Sequence, residues 1–230
     1  MEGVFLGRYF LHLQNSRLTH SMIANRFLPP LLIILSSFCA AFAQKKVDKI
    51  IHMTAYKSYY SYKVKNPLYV TYTLSKGGGD CNRKSFSFRK CDEDTAGDED
   101  YEGTGYDKGH LANAEDFAYD CSLDKQTFCY YNCVPQTVKL NRGIWKKWET
   151  EIRKLSHQKP VFIIAGAIYS DKLLKPDRKV VEPDYCYKIV VDPPTHAILY
   201  CLLFPNDDSG EVQELTLTEL KNKLSYPLVP

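Results

Sequence analysis

The sequence predicts an α+β fold with a central, mostly antiparallel sheet flanked by helices. Three observations lead there. Aromatic and β-branched runs of strand length recur along the chain, one stretch switches to helical period, and two late apolar runs flank a Pro-Pro turn. At 230 residues, 44% hydrophobic and 13% aromatic, the chain can close one sizeable core and is too apolar for a disordered polymer.

The first segment stands apart from that fold. Arg8, Arg17 and Arg26 precede FLPPLLIILSSFCAAFA, and Ala41-Phe42-Ala43 has the small-x-small form of a cleavage site. Residues 1–43 therefore read as a secretory signal peptide with a lead segment, beginning at Met1 or Met22, and residues 44–230 as a single domain. The apolar run is shorter than the ~20 residues a spanning helix needs. The expectation is a secreted chain with no stable membrane association after cleavage.

The elements follow in order. LYVTYTL (68–74) alternates like a strand and KGGGD turns the chain. An acidic stretch follows: Asp92, Glu93, Asp94, Asp98, Glu99, Asp100 and Glu102. It is open to three readings: a solvated loop, a calcium site, or a screen against unwanted anions. FCYYNCV (128–134) reads as a strand that stops at Pro135. From Asn141 the period changes, with Trp145, Trp148, Ile152 and Leu155 on one helical face as far as about His157. PVFIIAGAI (160–168) is a central strand. YCYKIVVD and HAILYCLLF form a hairpin about Pro193-Pro194, and LTLTELKNKL is a short helix capped by threonine.

Charge by itself does not announce a nucleic-acid binder. The net charge is +3, and loss of residues 1–43 removes three arginines and one glutamate, so the mature chain is almost neutral. Any nucleic-acid surface must then be a local one. Seven cysteines follow position 43, as an oxidising destination would have it, and the closest pair, Cys129 and Cys133, lacks the second pair that zinc needs. A hairpin turn centred on the two prolines sets Cys186 opposite Cys201 within disulfide reach. Cys81 with Cys91 is a second candidate across a local loop. An odd count leaves at least one thiol without a partner inside the molecule.

The chemistry concentrates in two nearby stretches. GTGYDKGHLANAEDF (103–117) carries His110, and NCVPQTVKLNRGIWKKWETEIR (132–153) begins about twenty residues later. Taken one at a time, these residues have plain readings: Asn141 as a helix N-cap, Glu149 with Arg153 as an exposed ion pair.

Together, DKGHL followed by N-x-x-PQ-x-x-x-LNRG-x-W-x-x-x-E-x-x-x-R resembles the DNA/RNA non-specific endonuclease family, whose site is a ββα-metal (His-Me) finger. The resemblance is close over residues 103–153 and looser over about 50–205. It implies hydrolysis of phosphodiesters in DNA and RNA to 5′-phosphate products, with Mg²⁺ as cofactor and Mn²⁺ as a substitute. His110 matches the general base that takes a proton from the attacking water, a task suited to an imidazole. Asn141 matches the single protein ligand of the metal, and Mg²⁺ commonly keeps several waters. Glu149 matches a carboxylate that holds a metal-bound water, with Arg153 fixing it and meeting a phosphate. Asn132 matches an asparagine beside the metal site. Lys108 stands where the family has arginine, a cation without the planar fork. Arg83 or Arg89 corresponds to a phosphate-binding arginine. Two alternatives accompany this expectation: a secreted, disulfide-stabilised binding protein on the same scaffold without catalysis, and a nuclease restricted to DNA.

Overall fold

A computed structural model describes residues 44–228 except Glu93. The expected leader, with Arg8, Arg17, Arg26 and the cleavage site, lies outside the described residues, as does Glu93 of the acidic stretch. In order, the elements are β1 (Lys49–His52), β2 (Lys57–Ser61), β3 (Asn66–Leu74), α1 (Asp98–Tyr101), β4 (Asp107–His110), α2 (Cys121–Gln126), β5 (Cys133–Gln136), α3 (Lys146–Ser156), β6 (Val161–Leu173), β7 (Val181–Val191), β8 (Ile198–Pro205), β9 (Gln213–Glu214) and α4 (Leu217–Lys223). Among the described residues, no helix is long and apolar enough to cross a membrane.

Seven strands form one sheet in the order β1-β2-β3-β6-β7-β8-β9, and every neighbouring pair is antiparallel. β3 and β6 pair directly, Tyr69 against Gly166 through Leu74 against Val161. The chain between them therefore leaves the sheet and returns to it. That excursion holds β4 and β5, a separate two-stranded ribbon, followed by α3. The strand–strand–helix unit lies against the sheet because α3 is amphipathic. Ile152 is buried, Lys146 and Lys147 are exposed, and the fully buried Trp145 at its start packs edge-on against Phe204 of β8 at 5.2 Å. Each such aromatic contact contributes about 0.5–1.5 kcal/mol beyond the area it buries. The C-terminal tail returns to the central strands, where the Tyr226 hydroxyl donates to the Leu68 and Ala167 carbonyls at 2.9 and 2.7 Å.

Several sequence expectations match these elements. The strand at 68–74 lies within β3, that at 160–168 coincides with β6 from Val161 onward, α3 ends at Ser156 with His157 as its cap, and Thr216 caps α4 in a reciprocal box with Glu219.

Others need correction. FCYYNCV is not one strand: Tyr130–Asn132 form a 3-10 turn and only Cys133–Gln136 pair, with Pro135 inside the strand opposite Lys108. A two-stranded ribbon is all edge, which is where proline is tolerated. The helix also does not begin regularly at Asn141. Leu140–Trp145 form a wide π-type turn, with Gly143 outside helical geometry, before α3 starts.

Both disulfide expectations fail. Cys186 does not bond Cys201, because the hairpin is offset by three residues from the symmetric turn: Cys186 faces Phe204, and Ile189 faces Cys201. The turn extends over Asp192–Ala197, closed by Asp192 N–H to the Ala197 carbonyl at 2.9 Å, with His196 at φ 57°. An odd offset puts the two cysteines on opposite faces of the sheet. Cys81 and Cys91 are also not partners. Cys81 bonds Cys121 and Cys91 bonds Cys129, since the irregular segment between them runs along α2 and the 128–130 turn, where Arg89 exchanges backbone hydrogen bonds with Phe128 and Tyr130. Cys133, Cys186 and Cys201 are buried free thiols.

The two bridges close loops of 40 and 38 residues. By loop-closure entropy each constrains the unfolded chain by roughly 4 kcal/mol, an upper figure for what engineered removals usually show. A Cys91→Ser, Cys129→Ser double variant is expected to lose about 2–4 kcal/mol of unfolding free energy. Urea titration of variant and wild type at pH 7 checks this.

Candidate active site

The site is built where the ribbon meets the helix. β4 ends at His110, paired opposite Cys133, and Gly109 pairs with Val134. Position 109 has no room for a side chain, because an added Cβ would lie 2.1 Å from Gln136 Oε1. Beyond His110 the chain is gripped by Asn132. Its amide oxygen accepts from Ala112 N–H at 2.8 Å, and its nitrogen donates to the carbonyls of Ala112 and Thr127 at 2.8 and 3.0 Å. Asn132 is fully buried and its amide is engaged by backbone. The resemblance placed it beside a metal; here it is the clamp that sets where His110 points.

Next, Asn113 caps a 3-10 turn, Ala114–Phe117, by accepting from Glu115 N–H at 2.8 Å. The helix is tied to the same strand end by Trp145, whose indole N–H donates to the His110 carbonyl at 3.3 Å. These ties bring His110, Asn113, Asn141, Glu149, Arg153 and Arg83 to one cavity of about 600 Å³, where Phe128, Arg142 and Lys146 also line the wall. Asn141, inside the wide turn, and Glu149, eight positions on in α3, share this wall.

His110 is half-buried as a residue, but its Nε2 atom is occluded and has no hydrogen-bond partner. The ring sits between Phe88 and Phe128, at centroid distances of 4.5 and 4.7 Å. Burial, helped by the nearby Arg83 charge, pushes its pKa down to about 3, so the imidazole is neutral at physiological pH. Glu149, 7% exposed, is pushed up to about 7 by burial, against the pull of Lys188 and with the repulsion of Asp116. Its Oε1 has no hydrogen bond, and the Lys188 ammonium is 3.8 Å away.

These two groups give stability opposite pH dependences. His110 contributes stability that is present above pH 6.5 and lost as pH falls toward about 3. Glu149 contributes stability present below pH 4.5 and lost as pH rises through about 7. A His110→Asn variant is therefore expected to lose less stability than wild type between pH 7 and pH 4. Urea midpoints at the two pH values give the comparison.

Asp107 orients the metal-ligand candidate. Its carboxylate accepts from Asn141 Nδ2 at 2.9 Å and from Arg142 Nε and guanidinium nitrogen at 2.8 and 2.7 Å. Burial pushes the Asp107 pKa up, but these hydrogen bonds outweigh it and hold the group below the usual carboxylate range. Asn141 is not the helix cap: it lies inside the wide turn, which Lys139 precedes, and Trp145 stands at the N-cap of α3. With its nitrogen held, the amide oxygen is what Asn141 can offer the cavity. A neutral oxygen donor, with the Glu149 carboxylate on the same wall, fits a hard divalent cation that keeps much of its water. Among the described residues no group of three or more His, Cys, Asp or Glu side chains is arranged to hold a metal.

Four expected roles change. Arg153 does not fix Glu149. Its guanidinium donates to Asp116 at 2.8 Å and to Asn113 at 2.9 Å, because the 3-10 turn brings those acceptors closer than the residue one turn back. Lys108 is paired with Asp98 and lies 5.9 Å over the Tyr130 ring, away from the cavity wall. Of the two upstream arginines, Arg83 lines the cavity and pairs with Glu115, whereas Arg89 donates to the Lys125 carbonyl at 3.1 Å and does not line it. The described residues of the acidic stretch do not line it either. Asp92, Asp98 and Glu99 pair with Lys49, Lys108 and Lys90, and Asp100 accepts from Gly97 N–H. They hold their loop together and present no screen over this cavity.

Sequence reasoning missed Lys188, Asp116 and Asn113. Lys188 did leave a signal, a lone cation in the apolar run CYKIVV of a central strand.

A family model described as DNA/RNA non-specific endonuclease matches residues 38–225. The chain is 30% identical over 135 residues to "Nuclease EXOG, mitochondrial" of Danio rerio, covering 56% of this chain and 39% of that protein. It is 28% identical over 157 residues to "Endonuclease G, mitochondrial" of Bos taurus, covering 65% and 52%. It is 39% identical over 93 residues to "Nuclease" of Nostoc sp., covering 40% and 33%. The chain thus spans about a third to a half of these relatives' lengths. A solved structure of the EndoG/EndoGI complex matches with a TM-score of 0.66 at 22% identity, covering 76% of this chain and 82% of that one, which shows the same fold.

Proposed function

The chain belongs to the DNA/RNA non-specific endonuclease family, and on that premise we propose that it is a secreted, Mg²⁺-dependent endonuclease hydrolysing phosphodiester bonds of DNA and RNA to 5′-phosphate products. The observation that carries this reading is the place of the His110 imidazole in the cavity wall. Its Nε2 has no partner, and it shares a cavity with Asn141 and Glu149 among arginines.

In this mechanism the His110 imidazole accepts the proton of the attacking water. Arg83 and Arg153 are already held by Glu115 and by Asp116 with Asn113, so they meet the phosphate at little further entropic cost. Asn141, with its amide held by Asp107, and Glu149 are the residues that would hold the cation. When bound, Mg²⁺, or Mn²⁺ in its place, offsets the charge that grows on the leaving oxygen. Phe88 and Phe128 keep water from the flanks of the imidazole and preserve its neutral form. Backbone recognition suits an enzyme that accepts both sugars.

Secretion is part of the proposal. It is supported by the apolar leader of the sequence and by two disulfides that need an oxidising compartment. The vertebrate relatives carry "mitochondrial" in their names, so fractionation of cells and conditioned medium decides between destinations.

The test is a comparison of initial rates on duplex DNA, single-stranded DNA and RNA, with Mg²⁺, with Mn²⁺ and with EDTA. Cleavage of all three substrates that EDTA abolishes is expected. Cleavage of DNA alone would narrow the substrate. Nucleic acid left intact at every divalent-ion concentration would identify a binding protein and end this reading.

A further inference from the structure

Lys188 lies in the middle of β7, between Ala165 of β6 and Leu202 of β8, and is 1% exposed. A buried ammonium in an apolar strand costs several kcal/mol unless its partners compensate. Three contacts of its ammonium lead to the site, and the Asp116 carboxylate also acts on it electrostatically. The ammonium is 3.8 Å from Glu149 Oε1, donates to the Leu111 carbonyl at 3.4 Å, and sits 3.9 Å over the face of the Trp145 ring. Leu111 directly follows His110, Trp145 donates to the His110 carbonyl, and Glu149 comes from α3. One cation therefore joins the sheet, the helix and the end of the ribbon. It does not itself line the cavity.

We propose that Lys188 is a positioning residue for this site: its ammonium fixes the Glu149 carboxylate relative to the backbone that carries His110. The inference rests on the nuclease reading above. Its physical basis is the cost of burying either charge alone. Glu149, at 7% exposure, and Lys188 each compensate the other, so the carboxylate stays at the one place where the cation is. The 3.8 Å separation marks a Coulombic contact rather than a hydrogen bond, which leaves the carboxylate free to bond within the cavity.

The experiment is a double-mutant cycle on the full chain with plasmid DNA and Mg²⁺, using wild type, Glu149→Gln, Lys188→Met and the double variant. Removing a partner one step from a cofactor-holding group is expected to lower kcat about 10- to 100-fold. KM for DNA should stay near that of wild type, because Lys188 meets no substrate. In the Glu149→Gln background the same change should cause no further loss in kcat, since a residue acting through Glu149 has nothing left to position. Thermal unfolding gives a second readout that does not depend on activity: the double variant, in which neither charge is buried alone, should unfold at or above the temperature of its less stable single variant. If Lys188→Met does not fold, Lys188→Gln, which keeps a donor for the Leu111 carbonyl, replaces it throughout the cycle. Equal losses of kcat in both backgrounds, additive losses of thermal stability, or wild-type kcat in the Lys188 variant would overturn the proposal. A wild-type chain that cleaves nothing overturns the underlying nuclease reading instead.

Discussion

Replacing His110 with alanine is expected to lower the initial rate of plasmid cleavage by about 10²–10⁴-fold, the usual contribution of a positioned general base. The fold should survive the change. The imidazole Nε2 has no hydrogen-bond partner, so its loss leaves no donor or acceptor stranded. What is lost is packing between Phe88 and Phe128, and the cavity already adjoins that surface. Far-ultraviolet circular dichroism and a urea midpoint at pH 7 establish that the variant is folded before its rate is read. A folded His110→Ala protein with full activity would show that some other group takes the proton, and the assignment would fail. The low pKa also has a kinetic consequence. A base that remains neutral down to about pH 3 should not itself impose an acid limb on the rate near pH 6.5.

The second large effect is expected at Asn141. Its amide nitrogen is held by Asp107, so the oxygen is the group it can present to a cation. Asn141→Ala removes that oxygen and leaves the Asp107–Arg142 pair intact, because Arg142 alone already makes two hydrogen bonds to the carboxylate. Activity at fixed Mg²⁺ is expected to fall by about 10- to 100-fold, with the Mg²⁺ concentration for half-maximal rate rising. Calorimetric titration of the free protein with Mg²⁺ supplies a readout independent of turnover and should show weaker binding in the variant. Unchanged metal affinity together with an unchanged rate would remove Asn141 from the site. Asp107→Asn makes a useful comparison: it keeps the shape but loses the carboxylate that orients the amide. A smaller loss than at Asn141 is expected.

Fold class, the principal strands, the helix end and its buried face were legible in the sequence because each rests on local period. Alternation in LYVTYTL reports a pleated strand whatever it pairs with, and the three- and four-residue steps from Trp145 to Leu155 report one buried helical face. The motif residues His110, Asn141, Glu149 and Arg153 were legible through the family resemblance that their motif carries, and the structure brings them to one cavity. Their partners were not. Arg153 meets Asp116 and Asn113 rather than Glu149, and Asn132 clamps backbone rather than lining the cavity. Hydrogen bonds between residues 37 and 40 positions apart follow from how two turns come together, and no local pattern encodes that.

The cysteines show the same division. Composition alone implied disulfides, but pairing depends on a register that shifts by three residues with the length of one turn, and on where an irregular segment crosses α2. What the sequence determined by itself was therefore the set of elements and the set of reactive side chains, since periodicity and residue chemistry act within a few positions. Tertiary structure alone decided which of those side chains meet. It put Lys188 under Glu149, Asn132 behind His110 and Lys108 outside the cavity, because burial and ion pairing depend on distances in space between segments far apart along the chain.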